Sequence, residues 1–309
     1  MLGDLYYGTL HKTGITRLAR HLRQGALVLC YHNVVPNGAG PHTEAFGDRA
    51  LHLPLDRFTA QVAWLKHHYL VVPLHDLVAR LESGRPVRGL AAITFDDGYT
   101  GALTLAVPVL RKLGLPATLF IVADAPSQEV VFWWDHPAIA RSNAGSAGAR
   151  QYRLVALGGD RDRILRETSA GITAAPPPPS HLPAEWSVVQ QAAHSGGIEL
   201  GAHTLTHRTM TTLRDAELRH EIQASRDIIE ERTGVRPESF SYPYGIWDAR
   251  VRDAVRRMGY RAAVTLEFGL NTPGIDPCAL RRVNVPSSIS LPAFAGWAAG
   301  VRPRAATAA

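Results

Sequence analysis

Leu90-Ala91-Ala92-Ile93-Thr94-Phe95-Asp96-Asp97-Gly98-Tyr99 decides how this chain is read. An apolar run stops there at two adjacent acids and a glycine, and Ala102 to Leu113 resumes with helical spacing. Such a run is a strand that delivers side chains into a loop at its carboxyl end, where α/β folds keep their chemistry. Successive residues leaving a strand point to opposite sides, so Asp96 and Asp97 are expected to do different jobs, one holding a cation and the other taking a proton. An isolated Asp-Asp-Gly is more simply a turn.

A second cluster, Gly201-Ala202-His203-Thr204-Leu205-Thr206-His207, outweighs the turn reading. Histidines four apart share one side of a helical turn or tight loop, where their ring nitrogens converge on one metal ion. With a distant carboxylate they form a two-histidine, one-carboxylate set that suits a hydrolytic divalent metal. The same ligands also serve non-haem iron oxygenases.

Thr94-Phe95-Asp96-Asp97-Gly98-Tyr99, then His203-Thr204-x-x-His207, then Ser241-Tyr242-Pro243-Tyr244-Gly245, in that order, resembles the polysaccharide deacetylase family, the NodB-homology or carbohydrate esterase family 4 enzymes. With Cys30-Tyr31-His32-Asn33 as the opening strand, as in the bacterial exopolysaccharide branch, the resemblance runs from about Leu27 to Val285. It implies an α/β fold, a distorted (β/α)7-type barrel forming a single catalytic domain. It makes Asp96 the general base, Asp97, His203 and His207 the metal ligands, and the backbone N–H of Tyr244 the oxyanion donor, with Pro243 fixing the chain before that donor. The implied cofactor is one divalent ion, zinc first, with cobalt, nickel or manganese as alternatives. A cation that polarises an amide carbonyl, beside a carboxylate that deprotonates water, is a sound division of labour. Thr204 and Thr206 are read as loop-shaping hydroxyls, and Tyr99, Pro243, Trp134 and Arg282 as the substrate-binding set.

Two positions depart from the family pattern. Ser241 stands where many members carry an Arg that orients the base, and losing that cation would raise the pKa of Asp96 unless Arg281 or Arg282 replaces it. No histidine follows His220, so the family's late Leu-x-His is absent. His32, at the end of the first strand, is the expected proton donor to the leaving nitrogen, with His42 or Asp96 itself as fallbacks.

Around these motifs strand and helix alternate, as a parallel sheet or barrel requires. Expected strands are Ala26 to Cys30, Tyr69 to Val72, Leu90 to Ile93, Pro116 to Val122, Ile198 to Ala202, Ala262 to Thr265 and Arg281 to Val285. That is about seven for the barrel. Expected helices include Leu55 to His67, Leu74 to Ser83, Ala184 to Ser195, Leu213 to Arg232 and Asp248 to Met258. Pro36 to His52 reads as an irregular loop, and about 133–183 as an insertion in which Pro176 to Pro179 is a spacer. Trp133 and Trp134 either stack on sugar rings or pack as core or lid. The domain plan is 1–24, an N-terminal basic helical extension; 25–290, the catalytic domain; and 291–309, a C-terminal tail.

With 309 residues, 46% hydrophobic and 19% charged, the chain can bury a sizeable core. Its net charge of +6 lacks interleaved aromatics or a nucleic-acid signature, so nucleic acid is not an expected partner. Met1 to Gln24 has no signal-peptide apolar stretch, and no segment reads as membrane-spanning. A cytoplasmic enzyme, at most at the inner face of the membrane, is expected. Within that stretch Lys12, Arg17, Arg20, His21 and Arg23 surround Ile15, Leu18 and Leu22, a pattern of a surface helix packed on the domain or of weak contact with anionic lipid. Cys30 and Cys278 are expected to be buried thiols, with a disulfide between first and last strands as the alternative. The expected activity is metal-dependent removal of N-acetyl groups from an amino sugar, oligosaccharide or lipid-linked glycan. A related deformylase or O-acetyl esterase, or a sugar-binding module without catalysis, is the alternative.

Overall fold

Runs of consecutive apolar residues pair here as parallel strands, because both faces of such a sheet are covered and alternation is not needed. The computed structural model describes residues 2–38, 49–127, 131–141, 147–168 and 177–301. Its strands are β1 (Leu27–Tyr31), β2 (Asn33–Val35), β3 (His52–Pro54), β4 (Leu70–Val71), β5 (Leu90–Phe95), β6 (Ala117–Ile121), β7 (Ile198–Ala202), β8 (Ser239–Ser241), β9 (Ala262–Val264) and β10 (Val283–Asn284). The main sheet runs β10-β1-β5-β6-β7-β8-β9, all parallel, with β4 added on β5. Leu280 bridges Val264 of β9 and leads into β10, so the sheet curls back towards its first strand. This is the expected distorted α/β barrel, with seven strands along its path.

Period-two alternation sorts the side chains. Leu29, Tyr31, Ile93, Phe95, Leu119 and Phe240 join the large core beneath the outer helices. Val28, Ala92, Phe120 and Val264 face the other way, into the barrel, where Leu74, Leu77, Val78 and Leu81 of the helix Leu74–Glu82 close its floor. Above that floor the same inward positions are Cys30, Thr94, Asp96 and Ser241, so polar side chains collect at the carboxyl end. The register keeps the strand ends level, with Tyr31 beside Phe95, Ile121 beside Ala202 and Ser241 beside Val264.

Several sequence expectations change. The expected tail holds the helix Leu291–Ala298, whose Phe294 and Ala295 are fully buried. Its Gly296 lies so close to the Tyr7 ring that a Cβ would stand 2.6 Å from it, which ties the N-terminal helix Leu2–Lys12 to the domain. The insertion also has anchored parts, including Trp133–Asp135, Pro137–Arg141 and Arg161–Thr168. The loop expected at 36–52 pairs its end as β3 with β2; residues 39–48 and Pro176 lie outside the described residues. Cys30 and Cys278 are both buried and free, so no disulfide joins the first and last strands.

Candidate active site

Four non-glycine residues among those described have positive φ: Asp97, Thr204, His207 and Tyr244. All four lie in the three motif loops. A left-handed backbone at a residue with a Cβ costs about 1–3 kcal/mol and persists only where surrounding structure holds it. The strain has a geometric use at Asp97. Strand alternation would send its side chain away from Asp96, but φ of 73° turns the chain so that both carboxylates enter one site. The expected opposition of the two acids is thereby replaced by convergence.

Asp97 Oδ1 lies 3.5 Å from His203 Nε2 and 3.4 Å from His207 Nε2, and the two imidazole nitrogens are 3.0 Å apart. All three residues are buried. Zinc–ligand bonds of about 2.0–2.1 Å at tetrahedral angles separate neighbouring donors by roughly 3.4 Å, so this triangle fits one small divalent ion. Charge fits too, since two carboxylates face one permanent cation, Arg282. Burial opposes charge on His203, yet Asp96 and Asp97 raise its pKa above the ordinary imidazole value. Burial and then His203 hold His207 well below it.

The histidine loop is held from outside. His203 Nδ1 meets the Ser241 carbonyl at 2.8 Å, which directs Nε2 at Asp97. The His207 N–H donates to Thr204 Oγ1 at 2.9 Å. Glu221, buried on the helix Asp215–Thr233, accepts from the Leu205 and Thr206 N–H groups at 3.0 and 2.9 Å and from the Thr206 hydroxyl at 2.5 Å. Thr204 and Thr206 are loop-shaping, as expected. Glu221 was not singled out, because it sits in a charged helix; its signal is that it shares the apolar face of Leu218, Ile222 and Ser225.

Arg282 resolves the choice of replacement cation. It is fully buried and donates both outer nitrogens to Asp96, Nη1 to Oδ1 and Nη2 to Oδ2, each at 2.7 Å. Its other donors reach Thr94 Oγ1 at 3.1 Å, Ser241 Oγ at 3.0 Å and the Thr265 carbonyl at 2.7 Å. A guanidinium has five N–H groups, and all are used. Burial works against the Asp96 carboxylate, but Arg282, then His203 and His32, hold its pKa well below the usual range. Ser241 and Cys30 add donors to Asp96 Oδ2 at 3.1 and 3.6 Å. With no donor left and no exposure, Arg282 has no contact to offer a substrate, which corrects that reading.

Pro243-Tyr244-Gly245 makes a tight turn closed by Gly245 N–H to the Tyr242 carbonyl at 2.9 Å. Gly245 has φ of 68°, and a Cβ there would meet Leu266 Cβ at 2.5 Å, so glycine is required. The Tyr244 ring stands edge-on to His207 at 4.5 Å and its hydroxyl accepts from Trp133 Nε1 at 2.9 Å. Trp134, 9% exposed, packs 4.7 Å from His207 and donates to the Tyr99 hydroxyl at 2.8 Å. Tyr99 in turn donates to Asp135, which also meets His52 at 3.0 Å. Tyr99, Trp134 and Pro243 are buried, so they form the wall behind the histidines instead of a solvent-facing sugar platform. Asp135 was missed; its signal is an acid following two tryptophans.

His32 is half-buried beside the base, with its ring within 4.8 Å of donor atoms of Cys30 and Asp96. Burial lowers its pKa, against the pull of Asp97 and Asp96. His42 lies outside the described residues.

Three comparisons bear on this site. A family model described as polysaccharide deacetylase matches residues 83–263, more than half of the chain. A Bacillus subtilis (strain 168) protein, YxkH, whose name places it among polysaccharide deacetylases, is 22% identical over 272 residues, covering 87% of this chain and 75% of that one. The poly-beta-1,6-N-acetyl-D-glucosamine N-deacetylase of Escherichia coli (strain K12) is 24% identical over 301 residues; the match takes in 88% of this chain but only 38% of that protein. Among solved structures, IcaB from Ammonifex degensii superposes with a TM-score of 0.61 at 21% identity, covering 89% of this chain and 97% of that one, a likeness of fold.

Proposed function

The chain belongs to the polysaccharide deacetylase family, and we propose that it is a metal-dependent hydrolase that removes N-acetyl groups from an amino-sugar glycan of the exopolysaccharide or cell-envelope kind. The observation that carries this reading is the pairing of a buried Asp97–His203–His207 donor triangle with a second carboxylate, Asp96, clamped in its ionised form by Arg282. A module that only binds sugar has no use for such a clamp. The E. coli relative's name supports a β-1,6-linked N-acetylglucosamine chain as the substrate class.

Asp97, His203 and His207 would hold the ion. The chemistry a divalent ion supplies there is polarisation of the acetyl carbonyl and acidification of water. Asp96, kept ionised by Arg282, takes the proton of the attacking water. The Tyr244 backbone N–H, in its left-handed turn, offers the donor to the oxygen that gains negative charge. His32, half-buried beside Asp96, hands a proton to the departing amine nitrogen. The Trp134–Tyr99–Asp135 wall keeps water from the back of His207 and fixes its ring.

Release of the acyl group tests the proposal, measured as acetate from β-1,6-linked N-acetylglucosamine oligomers, chitooligosaccharides and O-acetylated sugars and as formate from N-formylated sugars, before and after chelation and metal return. The expected result is acetate from an N-acetylated oligomer, abolished by chelator and restored by the ion. Release from the O-acetylated or N-formylated sugar alone would move the assignment to an esterase or deformylase. Chelator-resistant release would remove the metal from the account.

A further inference from the structure

The helix Ile15–Leu22 has a face that no described residue covers. Ile15, Leu18 and Leu22 are 47%, 57% and 67% exposed, three of the seven large hydrophobic residues exposed among those described. Their spacing sets them along one side of the helix. The helix contains no acid, and the cations Lys12, Arg17, Arg20 and Arg23 flank it, with His21 among them. Arg88 joins them from the turn before β5, donating to the His21 carbonyl at 3.4 Å. Arg20 lies over the Trp64 ring at 6.0 Å, so the inner side of the helix is seated on the domain while the leucine side is left to solvent.

An apolar strip flanked by positive charge has the chemistry of an interfacial helix, which sinks its leucines among acyl chains while its cations meet anionic headgroups. We propose that this helix docks the protein on the surface of a bilayer containing anionic lipid. Among the described residues no helix is long and apolar enough to cross a membrane. The helix ends close before β1, and its last carbonyls meet the turn that precedes β5. Both points are at the amino end of the sheet, whereas the catalytic loops leave its carboxyl end. Docking in this way leaves the active site open to a glycan arriving from the aqueous side.

The proposal goes beyond the catalytic reading, and its test does not depend on activity. Purified full-length protein is sedimented with vesicles of pure phosphatidylcholine and with vesicles half phosphatidylglycerol, at low and high salt. The expected result is binding to the anionic vesicles alone, weakened by salt. Leu18→Glu with Leu22→Glu should reduce the bound fraction at least tenfold, and Arg17→Glu about fivefold or more. Circular dichroism and melting temperature should stay at wild-type values, since these side chains are at the surface. Equal binding by the Leu18→Glu/Leu22→Glu variant, or no wild-type binding to either vesicle, would overturn the proposal. So would a wild-type dimer that the variant converts to monomer without any vesicle binding, because a second copy would then be what covers the face.

Discussion

Replacing Arg282 by Met should separate base orientation from metal binding. The side chain is fully buried, and its two 2.7 Å bonds to Asp96 form a bidentate pair. Removing one partner of a buried ion pair leaves the other charge uncompensated and costs about 3–5 kcal/mol of stability. The Asp96 pKa is depressed in the folded protein. Its contribution is therefore fully present above the unfolded carboxylate value of about 3.9 and is lost as pH falls through the lower folded value. The stability gap between wild type and variant should stay constant through neutral pH and narrow only in acid. In turnover, the acid limb of kcat/KM should move to higher pH, and neutral-pH activity should fall about a hundredfold, the lower end of what a positioned base contributes. Metal content should hold, because Arg282 touches none of Asp97, His203 or His207. A double variant, Ser241→Arg with Arg282→Ser, returns the cation from the other side of the same 3.0 Å contact and should recover part of the activity. Unchanged turnover in Arg282→Met, or loss of metal with it, would refute the reasoning.

Three further outcomes follow from the same geometry. His32→Ala should keep its metal and lose about a hundredfold or more in turnover; full activity on an N-acetylated oligomer would remove His32 from the reaction. Glu221→Ala removes the acceptor of two part-buried N–H groups and a hydroxyl, at about 0.5–1.5 kcal/mol each, and should weaken metal affinity about 10–100-fold as measured by competition with a chelator. Gly245→Ala forces a Cβ into Leu266 at a positive φ. It should lower the melting temperature and depress turnover, with metal stoichiometry unchanged.

Much of this was legible in the sequence because parallel strands announce themselves as short, mainly apolar runs, and β1, β5, β6 and β7 fall where those runs were. Asp96, Asp97, His203 and His207 were legible because three motifs stand in the order of the polysaccharide deacetylase pattern, and the resemblance names those four positions. What was hidden depended on backbone conformation or on contacts far apart in the chain. Alternation along a strand cannot foresee the left-handed turn that swings Asp97 beside Asp96. Arg281 and Arg282 are equivalent as letters, but Arg281 is exposed and Arg282 points into the barrel. For Trp134 the sequence left sugar stacking and core packing open, and both it and Tyr99 are buried behind the histidines, since an aromatic near a catalytic loop has the same signature whether it meets sugar or packs behind a ligand. The helix Leu291–Ala298, with Pro292 in its first turn, passed for a tail because only its packing against Tyr7 and the outer helices makes it part of the core.

The central claim is that Asp97, His203 and His207 hold one divalent ion next to Asp96. Metal stoichiometry on purified wild type, Asp97→Ala and His207→Ala after equilibration with zinc tests it most directly. The account predicts about one ion per chain in the wild type and none in either variant, with all three proteins folded. An ion retained in both variants, or none in the wild type, would contradict it.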